Sequence, residues 1–189
     1  MKVNYIYIWF SVSIVTSNSV LSSNNPVYFK TLIGSKSVES SWEKDDPIDS
    51  IGFQFNYFPS IKTVGITADL YFSSNINNTT NSNSETSVVE ANIGARWYSQ
   101  KLSNLHLMPY LGAGISFAEV ENIIELSGLK STYNDSGVGY WIDSGVDYEL
   151  FNNFYVGFDI RYSKIDLTIN SQENNFGGMN YLASIAFCF

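Results

Sequence analysis

The sequence predicts an all-β chain, an eight-stranded antiparallel up-and-down barrel that crosses a membrane. Three observations predict it. Apolar residues recur at every second position over most of the chain, which is the period of a strand and not of a helix. Aromatic residues make up 16% of the chain and charged residues only 15%, against about 25% charged in an average soluble domain. Mean hydropathy is nevertheless −0.04, which excludes a bundle of apolar helices and suits strands that face lipid and lumen by turns.

The 189 residues fit one domain by length. Residues 1–23 read as a signal peptide and 24–189 as the barrel domain. Met1-Lys2 is followed by an apolar run from Tyr5 to Val15, too short for a membrane-spanning helix of about 20 residues. A Ser/Asn-rich segment then runs to Asn25. Cleavage after Ser19 and cleavage near Ser23 both remain open. The net charge of −8 and the lack of a basic stripe argue against nucleic-acid binding. The single cysteine, Cys188, cannot form an internal disulfide, and its parity points it into the lumen.

Val27 to Val38 is the first strand. Its parity is the least clear, with Val27, Phe29 and Ile33 opposite Tyr28, Lys30 and Leu32. Glu39 to Ser50 reads as a polar, acidic connection. In the second strand Ile51, Phe53, Phe55 and Tyr57 alternate with Gly52, Gln54 and Asn56; a short turn at Pro59 to Lys62 follows. In the third, Val64, Ile66, Ala68, Leu70 and Phe72 alternate with Gly65, Thr67, Asp69 and Tyr71. Ser73 to Ser87 is nearly all Ser, Asn and Thr and reads as a solvated loop.

Val89, Ala91, Ile93, Ala95 and Trp97 alternate with Glu90, Asn92, Gly94 and Arg96 in the fourth strand. In the fifth, Leu111, Ala113, Ile115 and Phe117 form one face and Tyr110, Gly112, Gly114 and Ser116 the other. Inner-face glycines suit a narrow barrel, because they leave room for large side chains from neighbouring strands. Glu119 to Ser136 reads as a long polar connection whose Glu121–Leu129 part forms a helical turn or extends the strands. Val138 to Glu149 and Phe154 to Tyr162 are the sixth and seventh strands, joined by a short turn at Phe151-Asn-Asn153. Asn170 to Gly178 is the last polar loop, and the closing strand runs from near Met179 to Phe189.

The connections alternate in length, as expected of short periplasmic turns and longer extracellular loops. One face of each strand carries almost no charge. An Arg or Lys there near the bilayer midplane would cost about 2–4 kcal/mol, so hydrocarbon contact explains the absence. A soluble barrel would wet its outer face with many charges, whereas the second parity here holds Gly, Ser, Asn and Tyr with scattered charges.

Three stretches carry a resemblance: Pro109-Tyr-Leu-Gly-Ala-Gly114, Gly137 to Tyr162, and the closing strand with Tyr181, Ala183, Ile185, Phe187 and Phe189 on one face. They resemble the small eight-stranded bacterial outer-membrane barrels, the family of the OmpA transmembrane domain with its OmpX-like and OmpW-like relatives. The resemblance implies residence in the bacterial outer membrane. It also implies that Tyr181, Ile185, Phe187 and Phe189 form the signal read by the barrel-assembly machinery. Ending on Phe-Cys-Phe, where relatives often have Arg or Lys before the last Phe, leaves the subfamily open.

Lys30, Asp69, Glu90, Arg96, Asp143, Asp147, Glu149, Asp159 and Arg161 fall on the inward parity. In a narrow lumen they must pair, since an unpaired buried charge is severely unfavourable. A structural ion-pair network is therefore expected, with a gate as the alternative role. No catalytic, cofactor-binding or metal site is expected. The one histidine, His106, falls in a periplasmic connection, at the opposite end from the outer-leaflet lipid that related acyl hydrolases attack. The expected function is non-enzymatic: envelope structure, surface contact or adhesion through the loops. Expected partners are outer-membrane lipids and lipopolysaccharide, the assembly machinery, and host or envelope surface ligands. The alternative is an OmpW-like path for small hydrophobic molecules, lined by Tyr71, Tyr110 and Trp141, or a narrow porin-like channel.

Overall fold

The structure is a computed structural model that describes residues 27–38, 47–59, 63–79, 82–99, 106–126, 129–169 and 172–189. The expected signal peptide, residues 1–23, lies outside these residues. The strands are β1 (Val27–Val38), β2 (Ile48–Tyr57), β3 (Val64–Thr79), β4 (Ser82–Tyr98), β5 (Leu107–Leu126), β6 (Leu129–Phe151), β7 (Phe154–Ile169), β8 (Gln172–Asn175) and β9 (Gly178–Cys188). From β1 to β7 each strand pairs antiparallel with the next, and β9 pairs with both β7 and β1, which closes the sheet. Eight strands, β1–β7 and β9, make the barrel wall. The four-residue β8 pairs, among the described residues, only with the far end of β7.

The alternation of the sequence becomes inside and outside. Ile33, Ile93 and Ile115 are 67%, 60% and 52% exposed, while Lys30, Arg96 and Arg161 are fully buried. This inverts the distribution of a water-soluble protein and fits a wall whose outer solvent is hydrocarbon. The parity of β1 is settled: Tyr28, Lys30, Leu32 and Lys36 point inward.

The strand registers draw the upper edge of the apolar belt as a line. Ile33, Ile51, Phe72 and Val89 are cross-strand neighbours. One step outward, the corresponding row is Ser35, Asp49, Ser74, Ser87 and Glu121. The belt from Val89 to Trp97 matches the roughly 9–11 residues a tilted strand needs to cross a bilayer. At its lower edge Phe151 stacks on Phe154 at 4.7 Å and Phe187 meets Phe189 at 4.9 Å. Asn153 closes the β6–β7 turn at φ 67°, a left-handed conformation that Asn tolerates better than most residues.

The expected Ser73–Ser87 loop is strand over its described residues, and the Glu119–Ser136 connection takes its strand-extending alternative. Ser73–Thr79 and Ser82–Ser87 continue the β3–β4 ladder, and Glu119–Leu126 and Leu129–Ser136 continue the β5–β6 ladder. Side-chain polarity was the wrong guide there. Backbone hydrogen bonding propagates from the barrel whatever the side chains are, and Ser, Thr and Asn tracts can be carried along it. The second strand also starts earlier than expected, at Ile48, and part of the Asn170–Gly178 loop is β8.

Candidate functional site

The inward parity fills the lumen in three layers. At the periplasmic end, Tyr28, Phe58, Tyr98, Tyr110, Tyr155 and Ala186 pack with Met108 and the half-buried Cys188. Their rings meet edge to face, Tyr28 on Tyr98 at 5.7 Å, Tyr28 on Tyr155 at 5.3 Å and Phe58 on Tyr98 at 5.4 Å, a favoured quadrupole geometry.

Above the rings lies a belt of charge. Lys30 Nζ stands 2.9 Å from Asp147, whose Oδ2 accepts a hydrogen bond from the Tyr28 hydroxyl at 2.8 Å. Arg96 bridges Asp69 at 2.7 Å and Asp143 at 2.6 Å, and its Nη1 donates to Asn56 and Thr67. Glu90 takes both Lys36 and Arg161, the latter at 2.9 Å. Arg161 also donates to Asn92 at 2.8 Å. The structure thus places Lys30, Asp69, Glu90, Arg96, Asp143, Asp147, Asp159 and Arg161 together in the lumen. Glu149 sits apart, near the rim, 3.7 Å from the exposed His106.

Trp141 occupies the centre of this belt, fully buried. The Arg96 guanidinium lies 5.0 Å and that of Arg161 5.9 Å from its ring, both within cation–π range. Three glycines make the space. A Cβ on Gly94, Gly112 or Gly114 would come within 3.0 Å of the indole, so the small-residue floor and the large ring are one packing unit.

The third layer is apolar. Val88, Ala118, Val120, Ile165 and Phe176 cluster above the charges, with Tyr133 against them. Asn175 Oδ1 accepts hydrogen bonds from the backbone N–H groups of Ile165 at 3.0 Å and Gly177 at 2.9 Å. This side chain bridges the break between β8 and β9 beside Phe176.

Lys36 was missing from the charges expected in the lumen. The signal was present, since Lys36 shares the parity of Lys30, but the mixed pattern of β1 hid it. The neutral partners were also missed, among them Gln54, which donates to the Tyr71 hydroxyl at 2.7 Å. Single-strand patterns show which way a side chain points but not what it meets across the barrel.

Beyond the belt, β3 to β6 continue outward as a four-stranded open sheet. Above Gly139, where pairing to β7 ends, β6 has β5 as its only ladder partner among the described residues. The exterior parity of this region bears the exposed carboxylates Glu85, Glu119 and Glu121, with Asp49 beside them. His106, Tyr181, Ile185, Phe187 and Phe189 are exposed.

The barrel fold has counterparts among solved structures. Neisserial surface protein A is 19% identical, with a TM-score of 0.62 over 88% of this chain and 98% of that one. The outer membrane protein OprG from Pseudomonas aeruginosa is 12% identical, with a TM-score of 0.59 over 87% and 95%. Ail, the attachment invasion locus protein of Yersinia pestis, is 8% identical, with a TM-score of 0.57 over 87% and 97%. At these identities the likeness is one of fold. No curated protein sequence matches the chain. A family model described as "Outer membrane protein beta-barrel domain" matches residues 10–189. The chain therefore belongs to the outer membrane protein β-barrel family, and its place is the bacterial outer membrane.

Proposed function

We propose that the protein is a non-enzymatic surface-contact protein whose binding element is the sheet that β3 to β6 raise above the membrane. The observation that carries this reading is the edge of β6 between Leu129 and Val138, which has one ladder partner instead of two among the described residues. Such an edge offers backbone donors and acceptors to an extended segment of another protein. The carboxylates at Glu85, Glu119 and Glu121 favour a neutral or basic partner over a polyanion. In this respect the proposal departs from Ail, which has been seen with the heparin analogue sucrose octasulfate.

The filled lumen supports the same reading. Tyr71, Tyr110 and Trp141, which would line a transport path, are buried within the network. Lipids and lipopolysaccharide would cover the apolar belt. Tyr181, Ile185, Phe187 and Phe189 would be read by the assembly machinery before insertion. The non-enzymatic reading is supported by the position of His106, at the end opposite the outer leaflet. The test replaces residues 123–132 with Asn-Gly, which keeps the Asn122–Tyr133 pair and shortens the hairpin. Bacteria carrying this variant should lose attachment to target cells while the protein keeps its heat-dependent gel migration. Unchanged attachment would contradict the proposal.

The apolar cluster of Val88, Ala118, Val120, Ile165 and Phe176 favours a second reading, a site for a small hydrophobic molecule at the upper lumen. Uptake of a hydrophobic probe that survives the hairpin replacement would favour it over surface contact.

A further inference from the structure

Nine charged side chains are buried among the described residues, and they do not balance. The cations are Lys30, Lys36, Arg96 and Arg161; the carboxylates are Asp69, Glu90, Asp143, Asp147 and Asp159. Four carboxylates have a cation within ion-pair distance. Asp159 has none among the described residues. Its Oδ2 accepts a hydrogen bond from the Tyr110 hydroxyl at 2.5 Å, and that hydroxyl accepts from Lys30 Nζ at 2.9 Å. Lys30 itself is engaged by Asp147.

Asp159 Oδ1 is buried without a partner, and so is Asp143 Oδ1. The β6–β7 register sets Asp143 opposite Arg161 and Asp159 opposite Gly145, so the two aspartates are diagonal neighbours on the lumen face. Such diagonal neighbours lie roughly 7–8 Å apart across the two strands and share one face of the sheet. Asp143, Lys30, Arg96, Tyr110, Tyr71 and Tyr98 are the ionisable groups that act on Asp159, and Asp147 and Arg161 flank Asp143 along and across the strands. Two like charges with open oxygens in a lumen one positive charge short are severely unfavourable unless something positive joins them.

We propose that the Asp143/Asp159 pair is a monocation site, taking one proton or one sodium ion and thereby neutralising the lumen. The donor set fits a single charge. No group of three or more His, Cys, Asp or Glu side chains gathers among the described residues, as a divalent ion would favour.

The test uses the folded protein in detergent micelles at pH 7, with Asp159→Asn as the variant. The asparagine amide can donate to Asp143 Oδ1 and so replaces the cation with a neutral donor. One arm records the infrared carbonyl band of a protonated carboxylic acid in sodium-free buffer. The other compares the thermal unfolding midpoint in sodium chloride and in tetramethylammonium chloride at equal ionic strength. Wild type should show the band if the ion is a proton, or a higher midpoint in sodium if it is sodium; D159N should show neither. Should D159N fail to fold, Asp143→Asn removes the same excess charge and is read in the same way. Absence of both signals in wild type, or their persistence in the variant that folds, would overturn the site.

Discussion

Arg96 grips Asp143 Oδ2 with two donors, Nε at 2.8 Å and Nη2 at 2.6 Å, and both side chains are fully buried in the lumen. The same guanidinium holds Asp69, so its loss strands two buried carboxylates. Replacing Arg96 with Met should destabilise the folded barrel by about 3–5 kcal/mol, the range for breaking a buried pair by removing one partner. Adding Asp69→Asn and Asp143→Asn to that variant should recover much of the loss, because no orphan charge remains. Urea unfolding in detergent, followed by gel migration and tryptophan fluorescence, measures both.

Trp141 and its glycine floor make a second prediction. At Gly114 a Cβ would crowd Gly94 Cα at 2.7 Å and Trp141 Nε1 at 2.8 Å, as well as the Ile93 carbonyl oxygen. Gly114→Ala should cost about 1–3 kcal/mol, the usual range for overpacking. Shortening the indole with Trp141→Phe in the same chain should not restore stability fully, since the backbone contacts persist. Denaturation midpoints of the two variants decide this.

The exterior boundary can be tested by moving one charge. Ile93→Arg places a guanidinium in the middle of the apolar belt and should cost about 2–4 kcal/mol. Glu121→Arg, on the same outward parity of the wall but above the Ile33–Val89 row, should leave stability within about 0.5 kcal/mol. Equal costs at the two positions would put the lipid boundary elsewhere.

The packed lumen predicts little conduction. Aromatic rings, ion pairs and the apolar cluster around Phe176 stack along the axis, and an eight-stranded barrel is just wide enough for its own side chains. Purified protein in planar bilayers should show no large stable channel. A steady large conductance would contradict the packing described.

Much of this was legible in the sequence because a barrel wall has one rule, alternation, and it holds from Ile51 to Tyr57 and from Val89 to Trp97 without a break. The inward side of Arg96, Asp143 and Trp141 follows from counting by twos. Which carboxylate Arg96 meets does not, because Asp69 comes from the adjacent β3 and Asp143 from β6, two strands away. Lys36 was hidden by the mixed pattern of β1. The Ser/Asn/Thr tract at Ser73–Ser87 misled for a different reason. Its side chains cannot build a core, but its backbone needed only the register already set by Phe72 and Val89.

The account depends on hydrocarbon touching one parity of every wall strand. The direct measurement is a spin-label scan of residues 88–98 in lipid bilayers, in a Cys188→Ser background, recording collision with oxygen and with a water-soluble nickel chelate. Labels at Val89, Ala91, Ile93, Ala95 and Trp97 should favour oxygen, most strongly at Ile93, and labels at Glu90, Asn92, Gly94 and Arg96 should be shielded from both. Nickel collision at Ile93 equal to that at Glu121, or oxygen accessibility without a period of two, would contradict it.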